Sequence, residues 1–184
     1  MSHKSAGLIL ATFIFVSCQE APSLPQTEIG KNLYHAIVSG RYAASFSSPA
    51  GPIKLMHLDK IESDRLQKSL LSEGNRLLKG NKSKRDISSL KSIAMAFYVM
   101  NYKEAEDFMS RLLSEKILNM EMNSLILLYF GNTIMKEKLD LVNSYLKDEN
   151  ENIVLAARIS CEKLGGIDCF KENAKNKSDK KKKK

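Results

Sequence analysis

The segment LNMEMNSLILLYF, residues 118–130, decides the fold class of this chain. Its apolar side chains surround nearly the whole circumference of a helix, and a helix with that pattern is buried among other elements. Gly131 follows at once, and glycine is the residue that most often lies just beyond a helix end. Residues 118–130 are therefore predicted to form the most buried helix of a helical domain.

The sequence on both sides of this segment also has a helical pattern. Apolar residues recur every three to four positions in residues 86–100, 102–113, 135–146 and 151–164. No alternating strand pattern competes with them, and the glycines of this region fall at the ends of the helical stretches. The predicted fold class is all-α.

Helix ends recur at a nearly constant interval. Gly131 and Gly165 are 34 residues apart, and chain reversals precede Tyr102, Lys136 and Asp168 at intervals of 34 and 32 residues. Intervals of this length are typical of solenoids, in which one helix hairpin stacks on the next. The sequence predicts an α-solenoid of helix-hairpin repeats, with a compact helical bundle as the alternative.

Two stretches resemble known helical repeats. Residues 94–105 resemble the centre of a tetratricopeptide repeat, with Tyr102 and Ala105 at its short loop, although the loop glycine is absent. Residues 148–165 resemble the second helix of a HEAT repeat, which is the resemblance we favour. Either resemblance, over residues 86–170, implies a curved surface that binds extended peptides or protein partners.

The implied surface would lie on the polar positions of alternate helices. We take Asn123, Ser124 and Arg158 as candidate recognition residues on this surface. The apolar stripes of the helices are interpreted as core.

Residues 27–50 are interpreted as an N-terminal helical segment. Thr27 is a candidate N-cap of a first helix that ends near Gly40, and residues 41–46 are a candidate partner helix. The segment SSPAGP, residues 47–52, cannot continue a helix because its prolines lack amide donors and its glycine loosens the backbone.

The helical-repeat domain is predicted over residues 51–170. Its first helix begins at Asp59, which forms a capping-box pattern with Glu62, and ends at Gly80. Asp86 is the candidate cap of the next helix.

The N-terminus has the layout of an export signal. Lys4 precedes an apolar run of eleven residues, from Ala6 to Val16. This length is within the range of a signal peptide and well short of the ~20 residues that a transmembrane helix needs. Residues 1–17 are therefore predicted to be a signal peptide that is removed on secretion.

The run ends with Phe15, Val16, Ser17 and Cys18, which resemble the lipobox of bacterial lipoproteins. Phe15 stands where leucine is usual, as in the looser pattern of spirochaete-type lipoproteins. The resemblance implies that Cys18 becomes the lipidated N-terminus of a protein held in the cell envelope, at the outer membrane, on its periplasmic or its outer side. Several acyl chains would hold such a protein firmly on the membrane.

Residues 18–26 are interpreted as the lipidated N-terminus and tether. They contain Pro22 and Pro25 and few apolar side chains. Proline disfavours a helix and stiffens the chain toward an extended form.

The net charge of +8 is concentrated at the C-terminus. Residues 18–170 carry 20 basic and 19 acidic side chains, whereas residues 171–184 carry eight lysines against two acidic residues. A nucleic-acid-binding body would need basic residues clustered on a folded face. The nearly neutral body argues against nucleic acid as a partner.

Residues 171–184 are predicted to be a disordered tail, since they contain too little apolar surface to fold and their charges repel. The tail has three interpretations: a solvated terminus, a site for anionic lipid or acidic polysaccharide, or a C-terminal lysine that lysine-binding modules capture. The candidate ligand-binding residues are Lys180, Lys181, Lys182, Lys183 and Lys184.

Cys161 and Cys169 form an even pair once Cys18 is assigned to lipid. Disulfides persist in compartments outside the cytoplasm, and the intervening Gly165 and Gly166 would allow the chain to reverse. We predict a disulfide between them, with two buried free thiols as the alternative.

The sequence contains no catalytic signature. His3 lies in the signal peptide, and His35 and His57 lack the partner spacing of a metal or nucleophile site, so both are interpreted as surface residues. No phosphate-binding loop is present and no carboxylates are paired in an apolar setting, and neither a cofactor nor a metal is expected. We expect a membrane-anchored, non-catalytic protein-binding or envelope-assembly scaffold, or alternatively a surface adhesin acting through the lysine-rich tail.

Overall fold

The computed structural model describes residues 22–55, 58–81, 86–166 and 169. These residues form helices and connecting turns, and no strand occurs among them. The predicted all-α fold class is confirmed. The predicted signal peptide, Cys18, His57 and the lysine-rich tail lie outside the described residues.

Eight α-helices make up the described part of the chain. In order they are α1 (Glu28–Val38), α2 (Arg41–Ser45), α3 (Lys60–Lys79), α4 (Ile87–Met100), α5 (Glu106–Ser114), α6 (Met120–Asn132), α7 (Leu139–Ser144) and α8 (Glu151–Lys163). Short 3₁₀ helices at Lys103–Ala105 and Lys136–Lys138 lead into α5 and α7.

The three predicted N-caps are confirmed. Side-chain oxygens of Thr27, Asp59 and Asp86 accept hydrogen bonds from backbone amides three residues later, at 3.1, 2.8 and 3.0 Å. Each bond satisfies an amide that has no partner inside its helix. Local sequence therefore determines where α1, α3 and α4 begin.

The N-terminal helices pack on the same core as the later ones. α1 contacts α3 and α4, and α2 contacts α4. Ile37 and Tyr42 are almost completely buried there, and the backbone amide of Ala43 donates to Ser92 Oγ at 2.8 Å. Further along the chain, α6 packs against α4, α5 and α8, in agreement with its predicted central position.

The three helices α4, α6 and α8 end in the same kind of turn. Asn101, Ile134 and Gly165 follow them in left-handed backbone conformation, with φ of 49°, 55° and 83°. The next amide in each turn bonds to the carbonyl five residues back, at 3.2, 3.2 and 3.0 Å. This is the hydrogen bond of a Schellman motif. The same bond also follows α5, where the Ile117 amide donates to the Leu112 carbonyl at 3.2 Å after Lys116 at φ of 50°. The turn therefore does not by itself define a repeat, and the helix-hairpin repeats stay a prediction.

Candidate functional site

The helices α4, α6 and α8 lie side by side and run in the same direction. Tyr129 Oη, near the end of α6, donates to the carbonyl of Tyr102 just beyond α4 at 2.5 Å. Ser160 Oγ of α8 donates to the carbonyl of Leu127 in α6 at 2.7 Å. Burial raises the pKa of Tyr129, which therefore remains a neutral donor. These bonds hold the three helices in register.

Gly131 allows α6 and α8 to approach closely. A Cβ atom at this position would lie 2.8 Å from the Cα of Ser160, which is closer than real side chains come to a backbone. Gly131 and Asn132 were predicted to end this helix, and Asn132 is the last residue of α6, while Ile134 takes the left-handed conformation of the turn that follows. The glycine serves helix packing at this position.

Because the three helices are in register, residues that lie the same number of positions before the Schellman turn form rows across the helices. Met95, Leu128 and Ile159 form one such row, because each lies two residues before the residue whose carbonyl accepts the Schellman bond. Counted in the same way, the neighbouring rows are Lys91, Ser124 and Leu155; Ile87, Met120 and Glu151; and Val99, Asn132 and Lys163. We call this surface the long-helix face, and define it by Ile87, Lys91, Met95, Val99, Met120, Ser124, Leu128, Leu155 and Ile159.

Most of the long-helix face is apolar and open to solvent. The exposed fractions are 45% for Ile87, 47% for Val99, 57% for Met120 and 56% for Leu155. Single exposed apolar residues are ordinary, but several of them on adjacent helices can form a surface that another apolar surface covers. An apolar surface of a partner could pack on this arrangement.

The three predicted recognition residues occupy different environments. Asn123 is only 9% exposed, and its Oδ1 has no hydrogen-bond partner among the described residues. Ser124 lies on the long-helix face, where its Oγ donates to the carbonyl of Met120 at 3.2 Å. Arg158 is half-buried on the flank of α8. Of the three, only Ser124 belongs to the long-helix face.

The recurrence of apolar residues outside the core stripes could have identified the long-helix face. Leu155 and Ile159 are four residues apart on α8, on the side opposite its buried Ile153 and Ala157. A second apolar stripe on one helix is unexpected unless something covers it. Sequence reasoning missed this signal because every apolar stripe was assigned to the core.

The Glu62 side chain of α3 binds the segment that precedes α1. Its carboxylate accepts hydrogen bonds from the amides of Gln26 and Thr27 at 2.8 and 2.9 Å, and from Arg65 at 2.7 Å. The bond from Thr27, then the bond from Arg65, lowers the pKa of Glu62 to about 2. The predicted capping box is therefore incomplete, because the Glu62 carboxylate binds the preceding segment instead of the Asp59 amide.

The predicted tether ends in this packed segment. Ser69 Oγ of α3 donates to the carbonyl of Ser23 at 3.2 Å. Pro25 is buried, and a Cβ atom on Gly30 would lie 2.7 Å from its Cβ. The segment that precedes α1 thus lies along the flank of α3.

Cys161 and Cys169 are joined by a disulfide in the structure, with their Cα atoms 5.8 Å apart. Gly166 lies against both sulfur atoms, where a Cβ atom would come within 2.5 Å of the Cys161 Sγ. The disulfide connects Cys169, which follows the turn at Gly165, to the last turn of α8. Whether it forms in the cell stays a prediction.

Of the three histidines, only His35 lies among the described residues. His35 is exposed, as predicted, and lies beside a shallow groove of about 440 Å³ that Asn32, Arg41 and Ile53 also line. Arg41 Nε donates to Ser39 Oγ at 3.0 Å. Within the described ranges, no cluster of three or more His, Cys, Asp or Glu side chains could hold a metal ion.

Two further findings concern membrane-spanning helices and similarity to known proteins. None of the helices in the described part combines the length and apolarity needed to cross a bilayer. Comparison of the chain with protein-family models, with curated proteins and with solved structures found no match.

Proposed function

We propose that this protein is an exported, lipid-anchored and non-catalytic scaffold that binds a protein partner through the long-helix face. The observation that carries the proposal is the presence of exposed apolar residues on the three adjacent helices α4, α6 and α8. Parallel helices leave shallow grooves between them, and an amphipathic helix or an extended peptide can place apolar side chains in such grooves.

The membrane anchor is supported by the N-terminal sequence. Residues 8–18 combine the apolar run of a signal peptide with a lipobox-like end at Cys18. Ser23, which is already in contact with α3, is only the fifth residue after Cys18. A chain of that length reaches at most ~18 Å. A lipid on Cys18 would therefore hold the domain close to the membrane surface.

Replacement of the lipidated residue tests the anchor. We expect Cys18→Ala to move the protein from the membrane fraction to the soluble fraction, because a single side chain carries the acyl chains. Quantitative immunoblotting of both fractions measures the change. Cys161→Ala, which removes a cysteine outside the anchor, is the control and should leave the protein on membranes. A Cys18→Ala variant that stays in the membrane fraction would refute lipid anchoring.

Substitution of exposed residues tests the long-helix face. We expect the double variant Val99→Lys with Met120→Glu to lose a partner that the wild type retains when purified from solubilised membranes, because charges replace apolar contacts. Quantitative mass spectrometry compares the two samples. The matched control is Leu24→Lys with Ile61→Glu, at residues 55% and 64% exposed outside the face. Equal recovery of the same proteins by all three would contradict this function.

The lysine-rich tail supports a second candidate, a surface adhesin that binds anionic ligands through residues 180–184. Eight lysines in the last fourteen residues favour it. Deletion of residues 171–184 distinguishes the candidates in the same purification. A scaffold retains its partner without the tail, whereas an adhesin loses its ligand without the tail and keeps it when the long-helix face is changed.

A further inference from the structure

The shallow groove of about 440 Å³ beside α1 has a largely apolar lining. Its apolar residues are Ile29, Leu33 and Ala36 of α1, and Ile53 of the segment that follows α2. Leu33 and Ala36 are buried, so they form the floor of the groove. The backbone amide of Ile53 donates to Ser45 Oγ at 3.0 Å, and this bond holds the segment beside α2.

The polar residues of the groove are suited to an anion. Asn32, His35 and Arg41 complete the lining, and none of the described lining residues is acidic. The Arg41 guanidinium makes no ion pair with a described residue, whereas Arg65 and Arg76 each pair with a glutamate. A guanidinium can donate two parallel hydrogen bonds to a phosphate. An apolar floor beside such a donor suits a ligand that has both a phosphate and an apolar part.

The surface around the groove combines positive charge with exposed apolar side chains. Residues 22–55 carry three basic side chains, all exposed, and one acidic side chain. Leu24, Ile29 and Phe46 are 55%, 54% and 43% exposed. Anionic lipids attract basic side chains at a membrane surface, and apolar side chains enter the boundary between headgroups and acyl chains. The surface of the N-terminal segment therefore fits an anionic bilayer.

We infer that this groove binds an anionic phospholipid of the membrane that holds the lipid anchor. The phosphate lies against Arg41, and the apolar part of the lipid lies on Ile29 and Ile53. The chain reaches the domain at Ser23, the fifth residue after Cys18, and α1 follows directly. A lipid on Cys18 therefore keeps the groove close to that membrane. The inference rests on the proposed anchor, and it adds a second, non-covalent contact with the same bilayer.

Tryptophan fluorescence tests this contact, because the chain contains no tryptophan. The full lipidated chain with Ile29→Trp is reconstituted into vesicles of brominated phosphatidylcholine, with or without brominated phosphatidylglycerol. We expect the bromine atoms to quench the fluorescence in the anionic vesicles and not in phosphatidylcholine alone. Leu155→Trp, at an exposed residue of α8, is the control probe and is quenched in neither. Because the lysine-rich tail follows α8, this probe also detects membrane contact that the tail causes.

Reversal of one charge tests the role of the groove itself. We expect Arg41→Glu, added to Ile29→Trp, to abolish the quenching and to leave the circular dichroism spectrum and flotation with the vesicles unchanged. Lys136→Glu makes the same charge change at an exposed residue between α6 and α7, and it should leave the quenching intact.

The outcomes separate this inference from the proposed function. A chain that floats with the vesicles but is quenched equally in both lipids, or not at all, would overturn the lipid site and leave the anchor intact. Quenching that survives Arg41→Glu would also overturn it. A wild-type chain that does not float with anionic vesicles would overturn the anchor and the lipid site together. Recovery of the partner from solubilised membranes involves no bilayer and is a separate result.

Discussion

Glu62 shows how one side chain joins the N-terminal segment to the fold. Only 3% of the residue is exposed, yet its carboxylate stays ionised because the amides of Gln26 and Thr27 and the Arg65 guanidinium surround it with donors. Hydrogen bonds to a charged group are stronger than those between neutral groups. If Cys18 carries lipid, this contact is the first strong attachment between the anchor and the domain.

The pH dependence of stability tests this contact. The pKa of Glu62 is lowered from 4.5 to about 2, so its contribution is fully present above pH 4.5 and is lost as the pH falls through about 2. We expect Glu62→Gln to lower the melting temperature at pH 7, and the difference from wild type to shrink progressively over this range. Thermal unfolding monitored by circular dichroism measures it.

Glu73→Gln is the control for Glu62→Gln, because Glu73 pairs with Arg76 on the exposed side of α3. Exposed pairs contribute little to stability, so this variant should unfold close to the wild-type temperature. A difference between wild type and Glu62→Gln that does not change with pH would contradict an ionised, hydrogen-bonded Glu62.

At the scale of the elements, the repeated turn after α4, α6 and α8 is formed by residues with different conformational preferences. Gly165 takes the left-handed conformation without a steric penalty, whereas Ile134 is β-branched and adopts it at φ of 55°. Ile134 is also 61% exposed, so little packing offsets the strain. The turn therefore depends on the Schellman bond more than on the preference of this residue.

Substitutions at Ile134 and Gly165 test the shared turn. We expect Ile134→Gly to raise the free energy of unfolding by about 1 kcal/mol, since it removes the left-handed penalty. Gly165→Ala should lower it by about 1 kcal/mol, because a Cβ at Gly165 meets no atom within 4 Å and only the backbone cost remains. Urea unfolding measures both values. Two changes of the same sign would contradict a common left-handed turn.

Helices and their caps were predictable because their signals are local. The helical period and the caps at Thr27, Asp59 and Asp86 can be read within a few residues. The role of Glu62 could not be predicted, since its partners lie about 36 residues away. The long-helix face was predictable only in part. The second apolar stripe of Leu155 and Ile159 can be seen in the sequence, but the exposure of Met120 depends on which side of α6 the neighbouring helices cover.

At the scale of the whole molecule, the helices form a series that begins at α3, where the N-terminal segment packs. The chain reaches α3 at Ser23, α3 packs against α4, α4 against α6, and α6 against α8. A lipid on Cys18 would hold the flank of α3 near the membrane. The long-helix face then extends from α4 to α8, which is the helix furthest along this series from the anchor. Such an arrangement suits a scaffold that holds a partner at the envelope.

Site-specific photo-crosslinking in intact cells is the most direct test of the central claim. That claim is that the long-helix face binds a protein partner. A photoreactive amino acid is placed at Val99, at Met120 or, as the control, at Ile61 on α3, all of them exposed residues. We expect Val99 and Met120 to yield the same crosslinked partner, with a mass that is not twice that of the chain, and Ile61 to yield none. Absence of an adduct at both face positions, or the same adduct from Ile61, would contradict the claim.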